Sequence, residues 1–412
     1  MRIIYELGLH IYAFIAFIVS PYNKKAHQWC SGRKESFKYL NSKIKEMDNI
    51  LWMHCASLGE FEQGRPLIES IKKRYPEYKI LLTFFSPSGY EIRKNYKMAD
   101  YICYLPLDTR KNARKFINIV NPKKVFFIKY EFWMNYIKEL SLHKIPLYLV
   151  SSIFNPEQLF FKKRIGASWY RKILFRVSYF FVQNQQSSDL LSNIGIKNTM
   201  IIGDTRFDRV AEIAAQGKKL PIIEKFKGSS KLIIAGSSWA PDEKLLTEYF
   251  NKNKKTKVIF APHEVKESNI NRIINSFHEP VLLYSKVNID TDINNYRILI
   301  IDCVGILSSI YRYGDIAYIG GGFGVGIHNT LEAAIYNIPV LFGPNYKKFQ
   351  EAVDLKEKGI AFPVSTIEEL TTHFDDLINN DKKLSIIKER CCSFMQKNIG
   401  ATDKVVSKVF EE

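Results

Sequence analysis

Short runs of apolar, β-branched and aromatic residues recur along this chain, and helical patterns separate them. "NILWMHC", "YKILLTFF", "DYICYLP", "KKVFFIKY", "PLYLVSS", "YFFVQN" and "NTMIIGD" come first. A polar stretch at 211–230, with "AAQGKKLP" and "KGSS", precedes a second series: "KLIIAGSS", "KVIFAPH", "PVLLYS", "RILIIDC", "IAYIGGG", "PVLFGP" and "IAFPVS". A strand facing water on one side alternates in polarity, whereas a strand apolar throughout is covered on both faces, as crossover helices cover a parallel sheet. "GRPLIESIKKRYP" and "RKNARKFINIV" read as such helices. The restart predicts two Rossmann-like α/β domains, 23–210 and 231–412, joined by a linker at 211–230, with the last helix free to cross back to the first. At 412 residues the chain is long enough for two separate cores.

The N-terminus is of another kind. "LGLHIYAFIAFIVS" is apolar from Leu7 to Ser20 save for His10, and the basic "NKKAHQWCSGRK" follows. It lacks a small-residue cleavage site, is short for a bilayer span, and suits a helix lying in one leaflet, so residues 1–22 are expected to be a membrane anchor. A soluble core helix is the competing expectation. Cations after the run are expected to keep the rest of the chain cytoplasmic. A net charge of +18 calls for anionic partners: nucleic acid, phospholipid headgroups or phosphorylated substrates. The six cysteines form no CxxC pair, and Cys391 and Cys392 are adjacent, which fits a reducing compartment and no structural metal.

Open α/β sheets bind ligands beyond the carboxyl ends of their strands. Polar clusters fall there: Ser57 to Glu60, Ser86 to Gly89, Glu131, Ser151 and Ser152, Asp204 to Arg206, Ser237 and Ser238, Pro262 and His263, and Gly320 to Glu332. Two such rims face to face would form an interdomain cleft, the arrangement of two-domain nucleotide-sugar glycosyltransferases. The stretch "YIGGGFGVGIHNTLEAAIYNIPVLFGP" supplies glycines for close backbone approach to a ligand and a helix expected to start near Asn329, suited to an anion. Its spacing is neither GxGxxG nor a P-loop, which disfavours a dehydrogenase or an NTPase. Glu332, one turn into that helix, fits either a ribose acceptor or a partner of the helix dipole.

Each candidate acid has two readings. Glu60, in "HCASLGEFEQGRP", is either a general base kept charged by the dipole of the next helix or a cap for the helix of Pro66 to Arg74. Glu62 is expected to be a solvated first-turn acid. Glu131 either serves the site or caps the following helix. Arg206 either faces developing negative charge or pairs with Asp204 or Asp208. His263 and the turn "DCVGILSSIY" border a nucleotide or are ordinary loops, and His328 has no companion ligands for a metal. The basic and aromatic segment from Phe160 to Arg176 suits headgroups, lipid phosphates or nucleic acid, lipid being favoured by the anchor, or else is a solvated basic helix with buried aromatics.

Taken in order, "HCASLGEFEQGRPLIESIKKRYP", "LLTFFSPSGYE", "ADYICYLPLDT", "KYEFWMN", "GDTRFD" and the glycine-rich stretch resemble the 3-deoxy-D-manno-octulosonic acid (Kdo) transferases of lipopolysaccharide synthesis. The resemblance implies a GT-B fold, CMP-Kdo as donor, a lipid A precursor as acceptor, inversion at the anomeric carbon, no metal or other cofactor, and no nucleic-acid partner. It implies that Glu60 is the base, that Glu131 supports the transition state, and that Arg206 stands where the family usually has Lys. It puts CMP against Pro262 and His263, Val304 to Ile306 (Val304, Gly305, Ile306), and Asn329 to Glu332 (Asn329, Thr330, Leu331, Glu332). Ile306 stands where an acid is common, and "APHE" lacks the usual Arg before His. The alternatives are a related transferase using another nucleotide sugar and a non-catalytic basic membrane adaptor.

Overall fold

The computed structural model describes residues 2–162, 167–293 and 295–411. Two compact units emerge: one runs to Arg209 and resumes at Asn398, and the other is Val210–Lys397. Each is built on a seven-stranded sheet whose pairings are parallel. In the first unit β1 (Ile50–Cys55), β2 (Lys79–Phe84), β3 (Tyr101–Tyr104), β4 (Lys124–Ile128), β5 (Leu147–Ser152), β6 (Tyr179–Val182) and β7 (Thr199–Ile201) take the order β3-β2-β1-β4-β5-β6-β7. In the second, β8 (Leu232–Ser238), β9 (Lys257–Pro262), β10 (Val281–Leu283), β11 (Ile298–Ile300), β12 (Ile316–Ile319), β13 (Val340–Phe342) and β14 (Ala361–Pro363) take the order β10-β11-β9-β8-β12-β13-β14. Every one of the fourteen runs expected as strands forms one, and the expected pair of Rossmann-like sheets is the fold of the chain.

The unbroken apolarity has its expected cause. Along β1, Ile50 and Trp52 enter a core with Leu81, Phe116, Val125 and Tyr136. Leu51, Met53 and Cys55 enter the opposite one with Leu82, Phe126 and Val405. Each such side chain contributes about 1.5–3 kcal/mol by leaving water. Sheet order reverses at β1 and β4 in the first unit and at β8 and β12 in the second, so the loops after those strands border each unit's switch point.

The linker expected at 211–230 is not a loose connector. The helix Arg206–Ala215 runs through the unit boundary, and the helix Pro221–Lys227 buries Ile223 and Phe226. The polar residues that suggested a linker fall at 216–219, between the two helices, and at 228–230, after the second. The last helix, Ala401–Phe410, belongs to the first unit. Val405 and Val406 enter its core beside Leu67, and Phe410 stacks on Tyr75 with centroids 4.4 Å apart. Asp208 accepts the N–H groups of Gly400 and Thr402, each at 2.6 Å, which satisfies donors that start the helix.

The helix Arg2–Val19 leaves Ile3, Ile4, Leu7, Phe14 and Phe17 exposed, and it bends by 119° into Lys24–Lys43. Its attached face carries Tyr5, whose hydroxyl donates to Asp108 Oδ2 at 2.6 Å, and Tyr12, edge-on to Trp29 at 5.3 Å. Among the described residues no single helix is long and apolar enough to cross a membrane. In the Phe160 to Arg176 segment, residues 163–166 lie outside the described residues. Phe160 and Leu174, on either side, are core residues.

Replacing Asp208 by Ala should cost about 1 kcal/mol, the scale of a lost N-terminal cap, in denaturant unfolding. Amide exchange across Ala401–Phe410 should accelerate. Unchanged exchange there would mean that apolar packing alone holds the helix.

Candidate active site

Glu60 lies in the first turn of the helix Leu58–Arg74, not ahead of a helix starting at Pro66; Pro66 is inside it. Its Oε2 accepts the Ser57 N–H at 3.0 Å. The capping geometry is therefore present, but it does not keep the acid strongly ionised. Burial, reinforced by the charge of Glu131, raises Glu60 to about 7 against the pull of the Ser57 and Ala56 N–H groups and Lys129. The expectation that the helix dipole would argue against a raised pKa is overturned, because desolvation outweighs two backbone hydrogen bonds. Glu62 is ion-paired to Arg93 at 2.8 Å, not simply solvated.

Glu131 sits in the turn after β4, across the first unit's switch point from the Glu60 turn. The turn begins at Lys129, held at φ +73° with its N–H on the Val150 carbonyl at 2.8 Å. That left-handed backbone is costly for a residue with a Cβ, and it redirects the chain away from the strand. Glu131 does not cap the next helix, Met134–Leu142. Asp108 does, accepting the N–H groups of Asn135 at 3.1 Å and Tyr136 at 2.9 Å. Burial raises Asp108 to about 7, against the bonds from Tyr5, Asn135 and Tyr136. The Glu131 side chain is 14% exposed, and its Oε2 lies 3.7 Å from Nε2 of the fully buried His54.

Arg206 begins the helix Arg206–Ala215. Its Nε and Nη2 donate to Asp204 Oδ2 at 2.9 and 2.7 Å, and its backbone N–H donates to Oδ1 at 2.9 Å. The pairing with Asp204 is thus formed, and the guanidinium remains partly exposed. Asp204 also accepts from Gln63 at 2.9 Å, so the Arg206 turn is tied to the Glu60 helix.

In the second unit the loops after β8, β9 and β12 bring three rings together. Trp239 stacks on His263 at 4.7 Å and His263 on His328 at 4.4 Å. The Trp239 indole donates to His328 Nε2 at 3.0 Å. Burial, then the neighbouring His263, lowers His328 to about 4, so it is a neutral acceptor. Pro262 ends β9.

The glycines serve the protein's own backbone. A Cβ on Gly320 would meet the Ser237 carbonyl at 2.4 Å, and one on Gly322 would meet Gly343 at 2.6 Å. The expected approach to a ligand is therefore not what requires these two. Asp242 accepts the N–H groups of Trp239 and Gly321 and the Tyr318 hydroxyl, each at 2.9 Å.

The helix expected from Asn329 is a single turn, Leu331–Ala334, and Glu332 is its second residue. Asn329 accepts the Leu331 N–H and donates to Glu332 Oε1, both at 3.1 Å, while the buried Thr330 hydroxyl has no hydrogen-bond partner. Val304 and Gly305 are exposed, and Ile306 opens the turn Leu307–Ile310. Among the described residues no three His, Cys, Asp or Glu side chains are arranged to hold a metal ion.

Sequence reasoning missed His54, Thr83, Trp133, Asp108 and Trp239. A signal existed for the first two. They are polar positions inside "NILWMHC" and "YKILLTFF", and they pair directly across β1 and β2. Asp108 and Trp239 sit in loops whose partners are far away in sequence.

An unfolded glutamate titrates at 4.5, and folded Glu60 holds its proton to about 7. Glu60 therefore favours folding most at low pH, and that contribution is lost as pH rises from 4.5 through about 7. The melting temperature of Glu60→Gln minus that of the parent should climb across this window and level off above it. A flat difference would show that Glu60 is not held protonated by its surroundings.

A family model described as "3-Deoxy-D-manno-octulosonic-acid transferase (kdotransferase)" matches residues 31–209, which contain Glu60, Glu131 and Arg206. The 3-deoxy-D-manno-octulosonic acid transferase of Aquifex aeolicus is 29% identical over 83% of this chain and 90% of its own. That of Rickettsia bellii is 26% identical over 100% of both. A crystal structure of UDP-GlcNAc 2-epimerase from Neisseria meningitidis bound to UDP-GlcNAc superposes with TM-score 0.61 over 88% of this chain and 100% of its own at 14% identity, a likeness of fold alone. The acids after β1 and β4 fall within the matched residues, and similarity to the Kdo transferases, which are glycosyltransferases, runs across both units of this chain.

Proposed function

We propose that this transferase moves Kdo from CMP-Kdo to a lipid A precursor, the first Kdo addition, with Glu60 as general base. The observation that carries the assignment is a carboxyl raised to about 7 by burial beside a second acid at the switch point. A base of that strength exchanges protons readily near neutrality. In one displacement, an acceptor hydroxyl gives its proton to the Glu60 carboxylate while its oxygen bonds to the Kdo anomeric carbon. The bond from that carbon to the phosphate oxygen breaks on the opposite face, and CMP leaves with the electron pair. Configuration is inverted.

Glu131 stabilises positive charge developing on the sugar, and Arg206, oriented by Asp204, faces the anionic groups. Pro262 and His263, Val304 to Ile306, and Asn329 to Glu332 receive CMP, with the unpartnered Thr330 hydroxyl available for a new hydrogen bond. The exposed apolar side chains of Arg2–Val19 support a place on the cytoplasmic face of the inner membrane, where a net charge of +18 attracts anionic lipid and both substrates.

Glu60→Gln should lower transfer from CMP-Kdo, followed by mass spectrometry of the lipid product, about a hundredfold or more. CMP-Kdo binding should be nearly unchanged. In the parent, turnover should rise with pH to a plateau above about 7, the value set by burial of Glu60. Near-normal turnover in the variant would reduce Glu60 to a cap.

Replacing Phe14 and Phe17 together by Glu should weaken binding to anionic lipid vesicles and leave CMP-Kdo binding intact. Undiminished vesicle sedimentation would move the membrane contact away from this helix.

A further inference from the structure

His54 is completely buried at the carboxyl end of β1, in a run that is otherwise apolar. The Trp133 indole N–H donates to its Nε2 at 2.9 Å. Tryptophan can only donate, so Nε2 carries a lone pair and the ring proton is on Nδ1. Nδ1 then donates to Thr83 Oγ1 at 2.8 Å, and the same oxygen accepts the Trp52 indole N–H at 2.8 Å. With both acceptor positions of Thr83 filled, its hydroxyl hydrogen turns to the Met53 carbonyl, 3.5 Å away. The chain Trp133 to His54 to Thr83 to Met53 runs in one direction, and every donor in it is used.

This wiring decides the character of the contact with Glu131. The distance from His54 Nε2 to Glu131 Oε2, 3.7 Å, is within ion-pair range, but Nε2 has no proton to give the carboxylate, its single lone pair being occupied by the Trp133 N–H. A proton on Nε2 would confront the Trp133 N–H, donor against donor. Trp133 itself stacks on Phe85, with centroids 4.7 Å apart, and Phe85 follows β2 and bonds through its N–H to Ala56 beside the Glu60 turn.

We infer that His54 is a positioning residue for the transfer reaction: fixed as the Nδ1–H tautomer, it anchors the Trp133 indole and so holds the Lys129 to Trp133 turn that presents Glu131. The hydrogen-bond chain through His54 begins at Trp133, two residues from the candidate catalytic acid Glu131, so the ring's orientation is coupled to the turn that carries that acid. The inference rests on the assignment of Glu131 to the site proposed above.

Its test uses His54→Phe, Trp133→Phe and the double variant, all in the full-length protein with CMP-Kdo and a lipid A precursor. Phenylalanine keeps an aromatic ring at each position and removes one end of the bond. Each single variant should lose about 10- to 100-fold in kcat, the scale of a displaced catalytic group, with the KM for CMP-Kdo changed less than about twofold. The double variant should be no worse than either single, and the losses should vanish in a Glu131→Gln background. Losses that multiply, that persist undiminished without Glu131, or that fall on KM alone would overturn the inference. Should His54→Phe fail to fold, Trp133→Phe still reads the same bond. Selective 15N labelling of histidine gives a readout independent of activity: His54 should resonate as a neutral ring protonated on Nδ1, and an Nε2–H tautomer or imidazolium would overturn the inference. A parent with that tautomer but no transfer from CMP-Kdo would instead refute the proposed reaction.

Discussion

Parallel strand pairing is the constraint on which the molecule depends. Two parallel neighbours cannot be joined by a tight turn, so the chain must cross back over the sheet, mostly as helices, and the crossovers cover both faces. Covered faces require strands that are apolar at successive positions, as in β1 with Trp52 and Met53 in opposite cores. The same connectivity sends all strands of a sheet in one direction. Every loop at a carboxyl end therefore lies on one rim, and the order reversal between β1 and β4 opens a crevice there. Glu60, in the first turn of the helix after β1, and Glu131, in the turn after β4, lie on the two connections that this reversal separates.

At that rim, two electrostatic effects compete over Glu60. Backbone N–H groups at the start of the helix favour the carboxylate, and burial beside Glu131 favours the acid. Burial wins because few groups replace the lost water. A carboxyl of this kind is poorly chosen for stability and well chosen for moving protons near neutrality. Around it the protein uses carboxylates differently: Asp204 is bonded by Arg206, Gln63 and Gln183, and Asp208 ties the last helix to the first unit. Those acids hold loops and helix ends.

The second unit organises its rim with rings and glycines. Asp242 gathers the Trp239 and Gly321 N–H groups, which fixes the glycine turn relative to the stacked Trp239, His263 and His328. Gly320 and Gly322 are needed where one loop backbone passes against another, and that contact fixes the path of the loop leading to Asn329 and Glu332. The match in fold to a sugar-nucleotide epimerase at 14% identity shows that such a sheet pair does not itself select a reaction.

The sequence by itself determined the strands, the two sheets and the polar clusters at their ends, because these follow from local periodicity and chain direction. It also determined Glu60, Glu131 and Arg206 as candidates, through motif order. Tertiary structure decided what each group does electrostatically. The rise of Glu60, the engagement of Arg206 by Asp204 and the replacement of Glu131 by Asp108 as the cap of the next helix all depend on neighbours brought close by folding. It also decided that residues 211–230 are largely helical and that the last helix joins the first unit, since Asp208 and the Val405 contacts lie far apart along the chain. His54 shows the division most plainly. Its polarity within an apolar run was visible in the sequence, but the tautomer it must adopt depends on Trp133 and Thr83, which only the folded sheet brings to its two nitrogens.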